Sequence, residues 1–233
     1  DDYYTLKVKD IRFNKLRKNL IFDEVSIRSK FKKRDHVERM GIQTEWIDVN
    51  IESVGVMGLD VKEVLIENKF FIDRILVNTV DLKLHRDKNY ERPVFKEKVL
   101  PVVDLLGMTI PLNLSNVEVK NMSLHYEEIP KGKEVPGNVI FTDFNCRLNN
   151  VTNVAEVISK NNKMTLNLST SLMKDISLTA KYTFNLSDAS KPFILEGEVK
   201  SFDMTLLDDT MYKLLGIGIN SGKVSWIKFW FEG

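Results

Sequence analysis

The stretch "VEVKNMSLHYEE", residues 117–128, closely resembles the earlier stretch "LVNTVDLKLHRD", residues 76–87. Both alternate apolar and polar residues and end in a charged cluster, which is typical of a β-strand with one apolar face. Sliding one onto the other by 42 positions places four apolar residues on four others: Val77 on Val119, Val80 on Met122, Leu82 on Leu124, and Leu84 on Tyr126. The chain therefore contains the same half-buried strand twice.

Alternation with a period of two extends along the whole chain. It is most regular in "ISLTAKYTFNL", residues 176–186, where one face carries Ile176, Leu178, Ala180, Tyr182, Phe184 and Leu186. Shorter runs of the same kind predict strands at 6–8, 25–27, 49–51, 75–84, 117–126, 140–148, 164–168, 193–199 and 224–226. Turn signals at 130–138, 186–192 and 220–223 separate them. We expect about ten antiparallel strands joined mostly by hairpins, because no βαβ rhythm appears.

Helical patterns are scarce and short. They occur at 61–68, 100–107, 154–160 and 208–216, with Pro101 at a favoured first-turn position and Gly216 as a helix stop. The basic run "KFKKRDHVER", residues 30–39, is interpreted as a solvated hairpin or charged edge, with contact to anionic lipid headgroups as the alternative. Such short helices cannot cover a sheet of ten strands.

The fold class predicted is mainly β. We expect an antiparallel, strongly curved or elongated sheet, groove-like or two-layered, with a few short helices. Its apolar face must be kept from water by a second sheet, by closure of the sheet on itself, or by a bound apolar guest. Residues 1–233 are interpreted as one β-rich module with possible sub-units 1–70, 71–153 and 154–233. Both ends look cut, so we expect a segment of a longer protein.

Composition excludes several functions. Lys and Arg total 34 against 33 for Asp and Glu, and this balance argues against binding to nucleic acid. No run of 18 apolar residues is present, so no spanning helix is predicted. Cys146 is the only cysteine, which excludes an intramolecular disulfide and a thiolate metal cluster.

No catalytic or metal-binding motif is recognisable, and we expect no enzyme and no cofactor. His36, His85 and His125 lack metal-ligand spacing and are predicted to lie at the surface. The glycines of "GIGINSGK", residues 216–223, do not have phosphate-loop spacing, and a helix stop followed by a hairpin turn is the better interpretation. The carboxylates in 85–87 and 126–128 are interpreted as solvated charges at strand ends.

The segment "SWIKFWF", residues 225–231, carries aromatic residues on both faces. Trp226 and Trp230 alternate onto one face, and Phe229 and Phe231 onto the other. This pattern predicts a strand that is buried on both sides or continues into another module.

Two parts of the chain resemble the AsmA-like family of Gram-negative envelope proteins. One is residues 98–153, with the short helix "LPVVDLL", the strand ending in "NMSLHYEE" and the strand "GNVIFTDFNCRLNNVTN". The other is residues 202–233, which read as strand, short helix, Ser-Gly turn and strand. Residues 71–93 fit the same pattern. The resemblance covers about two thirds of the chain and rests on apolar spacing and turns.

The resemblance implies a periplasmic, membrane-tethered protein whose strands form a groove for phospholipid or other acyl-chain lipid, or which supports outer-membrane assembly. An envelope protein partner is a further expectation. The expected lipid-facing residues are Ile176, Leu178, Ala180, Tyr182, Phe184, Val80, Leu82, Leu84, Met122, Leu124 and Tyr126. The alternative is a structural or protein-interaction domain in which these residues pack against one another and bind no lipid.

Overall fold

A computed structural model of the protein describes residues 2–93, 100–188 and 193–233. Ten strands form one sheet in the order β1-β2-β3-β4-β5-β6-β7-β8-β9-β12, and two short strands, β10 and β11, pair separately. The strands are β1 Tyr4–Asn14, β2 Asn19–Ser29, β3 Glu45–Met57, β4 Phe70–Asp87, β5 Leu112–Ile129, β6 Gly137–Thr152, β7 Lys163–Leu172, β8 Ile176–Asn185, β9 Phe193–Val199, β10 Phe202–Asp203, β11 Lys223–Val224 and β12 Ile227–Glu232. The predicted β class is confirmed.

All neighbouring strands of the large sheet are antiparallel except β4 and β5, which run parallel. Their register pairs Val77 with Val119 and Leu82 with Leu124, so the sequence offset of the repeated stretch is the pairing register itself. A parallel pair requires a long crossover, which residues 88–111 supply. The prediction that hairpins join the strands is therefore wrong here, and also at β9 and β12, which pair although β10, α5 and β11 lie between them in the chain.

The helices lie where strands end. They are α1 Lys33–Met40, α2 Val61–Ile66, α3 Pro101–Gly107, α4 Ala155–Lys160 and α5 Asp208–Leu215, with a 3₁₀ turn at Met204–Leu207. The connections place α2, α3 and α4 at one end of the long strands, which we call the α3 end. They place α1 and α5 at the opposite end, which we call the α1 end. The four predicted helices are confirmed. The interpretation of residues 30–39 as a hairpin or edge was wrong, because α1 occupies them.

The best-packed core is small and lies at the α3 end. Val102 and Leu105 of α3 are buried against Met164 and Leu186. Half-buried apolar residues from β5, β6, α4 and β8 surround this cluster, among them Leu112, Val151, Ile158 and Phe184. The cluster seals one end of the sheet and leaves most of its length uncovered.

The sheet forms a single open layer. Within the described residues, the only other sheet is the β10–β11 pair, so neither a covering second sheet nor closure into a barrel is adopted. The accessible surface is 14570 Å², whereas a compact monomer of this mass exposes about 10,800 Å². The excess is what an open sheet with a solvent-accessible apolar face would show.

A row of polar pairs crosses the first five strands at one level, and the sixth strand carries a similar pair that is displaced along it. In each of these strands two consecutive polar residues interrupt the alternation, and we call this set the doublet row: Lys9–Asp10, Asp23–Glu24, Glu52–Ser53, Asn78–Thr79, Lys120–Asn121 and Thr142–Asp143. Four of them include a left-handed backbone at Glu24, Thr79, Asn121 or Asp143. At the β6 doublet the pairing register also shifts against β5 and β7, as at a β-bulge.

Other turn predictions have mixed outcomes. The turn at 130–138 joins β5 to β6, and Gly216 caps α5 with a φ of 76°, both as expected. The hairpin turn predicted at 220–223 is wrong, because β11 pairs with the distant β10. The turn predicted at 186–192 lies partly outside the described residues. The sub-unit boundaries stay predictions, and one sheet runs through all three segments.

Candidate functional site

One face of the sheet is continuously apolar, and we call it the apolar face. Its clearest part is a row with one apolar residue from each of the ten strands in register: Phe13, Leu20, Val56, Ile75, Val117, Leu148, Leu166, Tyr182, Leu195 and Phe231. A second row runs through Leu6, Ile27, Val49, Leu82, Leu124, Phe141, Leu172 and Ile176. These residues are far apart in the sequence and become neighbours through the pairing register of the strands.

The doublet row keeps this face continuous. Because two consecutive residues of each doublet take the polar side, the apolar spacing changes from two to three, as from Val77 to Val80. A side-chain hydrogen bond of 3.2 Å from Asn78 to Ser53 joins two doublets on the polar side. β1–β5 change spacing at one level and β6 follows through two register shifts, so apolar residues stay opposite apolar residues on both sides of the doublet row.

The candidates on β4 and β5 lie side by side. The register pairs Val80 with Met122, Leu82 with Leu124, and Leu84 with Tyr126. Val80 is buried, and the other five are half-buried. They form a compact apolar patch in the middle of the sheet, and their contact with lipid stays a prediction.

The predicted lipid-facing residues on β8 differ in how far they are covered by other side chains. Ile176 is 1% exposed and cannot contact a guest while it stays covered. Phe184 packs against the α3 core and stacks on Tyr182 with ring centroids 5.8 Å apart. This leaves Leu178, Ala180 and Tyr182 as the half-buried part of the strand. They lie three strands from the β5 patch, across β6 and β7.

The sequence hypothesis missed an aromatic patch on the same face. Phe193 of β9 lies 6.0 Å from the Tyr182 ring, and Phe229 of β12 lies 6.0 Å from Phe231. Phe229 covers Gly197, where a side chain would collide with its ring. The alternation in 193–199 and 225–231 could have indicated these residues, but it did not indicate which strands become neighbours.

The charged clusters at the α1 end form ion pairs. The Lys33 ammonium lies 2.9 Å and the His85 Nδ1 lies 2.8 Å from the same Glu127 oxygen. Burial opposes ionisation of Glu127, but the hydrogen bond and charge of Lys33 outweigh it and lower the pKa of Glu127. Burial also lowers the pKa of His85, against the attraction of Glu127. The repeated strands thus end in a fixed charge network.

Tyr126 connects the apolar patch to this network. Its hydroxyl donates to Glu128 over 2.6 Å, and Lys88 contacts the other oxygen of Glu128 at 2.6 Å. Burial and the hydrogen bond to Glu128 raise the pKa of Tyr126, so it stays protonated. Its ring belongs to the apolar face and its hydroxyl to the charged end.

The prediction of surface histidines was wrong for two of the three. His36 is 1% exposed, with the Ser29 hydroxyl 3.1 Å from Nδ1 and the Tyr4 hydroxyl 3.4 Å from Nε2. His85 is buried in the ion-pair network. Only His125 is partly exposed, and it contacts Asn138 at 2.9 Å.

Two hollows have mixed linings. One of about 710 Å³ is lined by charged side chains such as Lys181 and Glu196 and by apolar ones such as Leu168, Phe229 and Trp230. Another of about 720 Å³ adjoins the His85–Glu127 pair. The part of the chain that the structure describes contains no cluster of three or more metal-ligating side chains.

The fold and the apolar face define the chain as an open, single-layer β-sheet protein. A comparison of the sequence with protein-family models and with curated protein sequences gives no match. Among the described helices, none is long and apolar enough to cross a membrane. The resemblance to AsmA-like proteins stays a prediction.

Proposed function

We propose that this chain is a non-enzymatic module that holds or conducts acyl-chain lipid on its apolar face. The observation that carries this proposal is the row of ten apolar residues, one from each strand, on a sheet with no covering layer among the described residues. At a strand spacing of roughly 4.8 Å, ten strands give a face roughly 45 Å wide. This is broad enough for several acyl chains.

Exposure at the sheet edges supports the proposal. On β1, Leu6 is 65% and Ile11 57% exposed, and on β12 Phe231 is 56% exposed. Exposed apolar side chains thus lie at both edges of the apolar face, and large exposed apolar patches mark binding surfaces. Each methylene buried on it contributes about 0.8 kcal/mol without directional bonds, so a chain is held firmly and slides between equivalent rows with low barriers.

The polar groups at the borders fit a lipid with a headgroup. In this proposal the acyl chains lie on the apolar face, and the headgroup stays in water near the open edge or the charged α1 end. The carboxylates of Glu127 and Glu128 already have cationic partners within the chain, Lys33 and Lys88. They therefore supply a solvated border, and apolar contact provides the affinity.

The self-filled alternative needs a core that covers the apolar face. Among the described residues, the buried cluster around Val102 and Leu105 fills one end of the sheet. We therefore rank a lipid-holding module above a closed interaction domain. A periplasmic location in a Gram-negative envelope, a role in outer-membrane assembly and an envelope protein partner belong to this proposal through the AsmA-like resemblance alone.

Site-specific photo-crosslinking tests the proposal. A benzophenone amino acid is placed at Leu82 or Leu178, and in matched controls at the neighbouring polar-face positions Lys83 or Ser177. After exposure to phospholipid vesicles and irradiation, mass spectrometry should find lipid adducts at the first two positions and not at the controls. Equal labelling on both faces, or none with a folded protein, would refute the proposal.

A second measurement uses the purified chain. Substitution Leu178→Asp adds a charge to the apolar face, and Ser177→Asp adds the same charge one residue away on the opposite face. We expect Leu178→Asp to reduce co-purifying phospholipid several-fold while Ser177→Asp leaves it unchanged. A monodisperse, folded wild-type protein without extractable lipid would favour the interaction domain.

A further inference from the structure

β12 ends the sheet on one side, and its outer edge has no strand partner among the described residues. Residues of this strand are unusually exposed and apolar for an edge: Ile227, Trp230 and Phe231 are all exposed, Trp230 at 59%. Natural edge strands are normally protected from pairing by charges, prolines or bulges. β12 contains no proline, and only Lys228 and Glu232 are charged.

The opposite edge of the sheet differs. On its polar side β1 carries Lys7, Lys9, Asp10 and Arg12. Lys9 contacts Glu24 and Arg12 contacts Asp23 at 2.6 Å, which fixes charged groups along this edge. β1 is therefore protected in the usual way, whereas β12 is not.

The backbone of β12 decides which groups are free to pair. Gly233 donates to Phe193 over 3.1 Å and accepts from it over 3.3 Å, so these two residues form a hydrogen-bonded pair. In an antiparallel ladder such pairs alternate, so Phe229 and Phe231 also direct their backbone groups toward β9. Lys228, Trp230 and Glu232 then present theirs to the free edge.

We propose that β12 pairs antiparallel with β12 of a second copy of this chain, about a two-fold axis at Trp230. In this register Lys228 lies opposite Glu232 of the second copy, and Glu232 opposite its Lys228. Trp230 meets Trp230 on the polar side, while Phe229 meets Phe231 on the apolar side. The three residues that must exchange hydrogen bonds are those whose backbone groups are free.

Charge complementarity selects this register and this partner. Shifting the axis by one residue toward Phe229 or Phe231 also matches the free backbone groups but breaks both Lys–Glu pairs. Cross-strand pairs of opposite charge and of aromatic residues each contribute about 0.2–1 kcal/mol. The two-fold relation makes the Lys228–Glu232 and Phe229–Phe231 pairs occur twice, while the Trp230 pair lies on the axis. The two apolar faces lie on the same side of the joined sheet, so the face doubles in width.

Charge-swap variants test the register. Substitution Lys228→Glu places like charges opposite each other at both pairs, and Glu232→Lys does the same with the opposite sign. We expect each variant alone to self-associate about tenfold more weakly than wild type in sedimentation equilibrium. An equimolar mixture of the two should restore association, because every acidic side chain then faces a basic one.

Controls separate register from fold. The double variant carrying both swaps should dimerise like wild type, and Lys7→Glu on β1 should leave association unchanged. Circular dichroism of each variant confirms folding. The proposal is overturned by a wild-type monomer throughout the micromolar range, by single variants that dimerise normally, by a mixture that fails to restore association, or by a loss caused by Lys7→Glu.

Discussion

The first six strands and the last four of the large sheet build one apolar face in different ways. β1–β6 use mainly aliphatic residues and change spacing at the doublet row, whereas β7, β8, β9 and β12 keep an unbroken period of two. The aromatic cluster of Tyr182, Phe184, Phe193 and Phe229 belongs to the second group. In the first group the apolar face stays continuous because β1–β5 change spacing at one level, and register shifts between β5, β6 and β7 join it to the second group.

The largest loss of stability should come from a substitution in the core that joins the two groups of strands. Leu105 of α3 lies in a cluster with Leu112 of the first group and Met164 of the second. Substitution Leu105→Ala should lower the free energy of unfolding by about 3 kcal/mol, because it leaves a cavity in a packed site. Urea unfolding followed by circular dichroism measures this. The exposed Leu65→Ala should change stability by less than about 0.5 kcal/mol.

Two separate unfolding transitions in the Leu105→Ala variant would show that the groups fold independently. That outcome would contradict a single sheet stabilised at its α3 end.

The same glycine substitution should act differently in the two groups. At Gly197 a β-carbon would collide with the Phe229 ring and lie 2.6 Å from the Thr179 carbonyl oxygen. Gly197→Ala should therefore destabilise the chain by about 2 kcal/mol and loosen β12, measured by tryptophan fluorescence during unfolding. At Gly55 the nearest atom is the Met57 methyl carbon at 3.4 Å, so Gly55→Ala should be nearly neutral. Equal costs at both sites would refute the packing of β12 on β9.

Replacing threonine with glycine should have opposite signs in the two groups. Thr79, in the doublet row, has a φ of 48°, where a β-branched residue is strained. Thr79→Gly should raise stability by about 1 kcal/mol, because glycine adopts this backbone freely. Thr183→Gly, in the regular strand β8, should lower it by about 1 kcal/mol. Thermal unfolding of both variants measures the difference, and equal signs would argue against a strained doublet row.

Lowering the pH should destabilise the first group of strands, β1–β6, before the second group, β7, β8, β9 and β12. Burial lowers the pKa of His36, and it lowers the pKa of His85 against the attraction of Glu127. The unfolded chain therefore binds protons more readily than the folded chain does. The contribution of the neutral histidines to the free energy of unfolding is complete above the ordinary histidine pKa of about 6.5 and is lost as pH falls. The groups facing His36 are the hydroxyls of Tyr4 and Ser29 and the ring of Tyr3.

Hydrogen exchange at about pH 7.5 and about pH 5.5 measures this effect. Protection of α1 and β3 should fall at the lower pH while β7–β9, which contain no histidine, change less. The variant His36→Gln cannot titrate and should reduce the difference at α1. Equal losses throughout the sheet would assign the acid response to other groups.

Much of the fold was predictable because strand alternation is local. The regular β8 pattern and the Pro101 and Gly216 helix signals give their elements directly. The parallel pairing of β4 and β5 was not predicted, although the offset of the repeated stretch was its register. Repetition shows that two strands are alike, but strand direction depends on the crossover between them.

The site was predictable in part for the same reason. The alternation of the candidates on β4 and β5 was visible in the sequence, while burial of Ile176 and His36 was not, because their neighbours come from distant segments. Helix α1 was missed since its eight residues are mostly charged and carry no apolar period. The doublet row was visible as the three-residue spacing from Val119 to Met122, which a strict search for alternation passes over.

The parallel junction has a consequence for folding kinetics. β1–β4 and β5–β9 are each successive antiparallel strands whose contacts form between chain neighbours. Joining β4 to β5 requires closure of the segment 88–111 before any of their hydrogen bonds forms, and such loop closure costs entropy in advance. We expect two meanders to collapse quickly and the docking of β5 onto β4 to limit the folding rate.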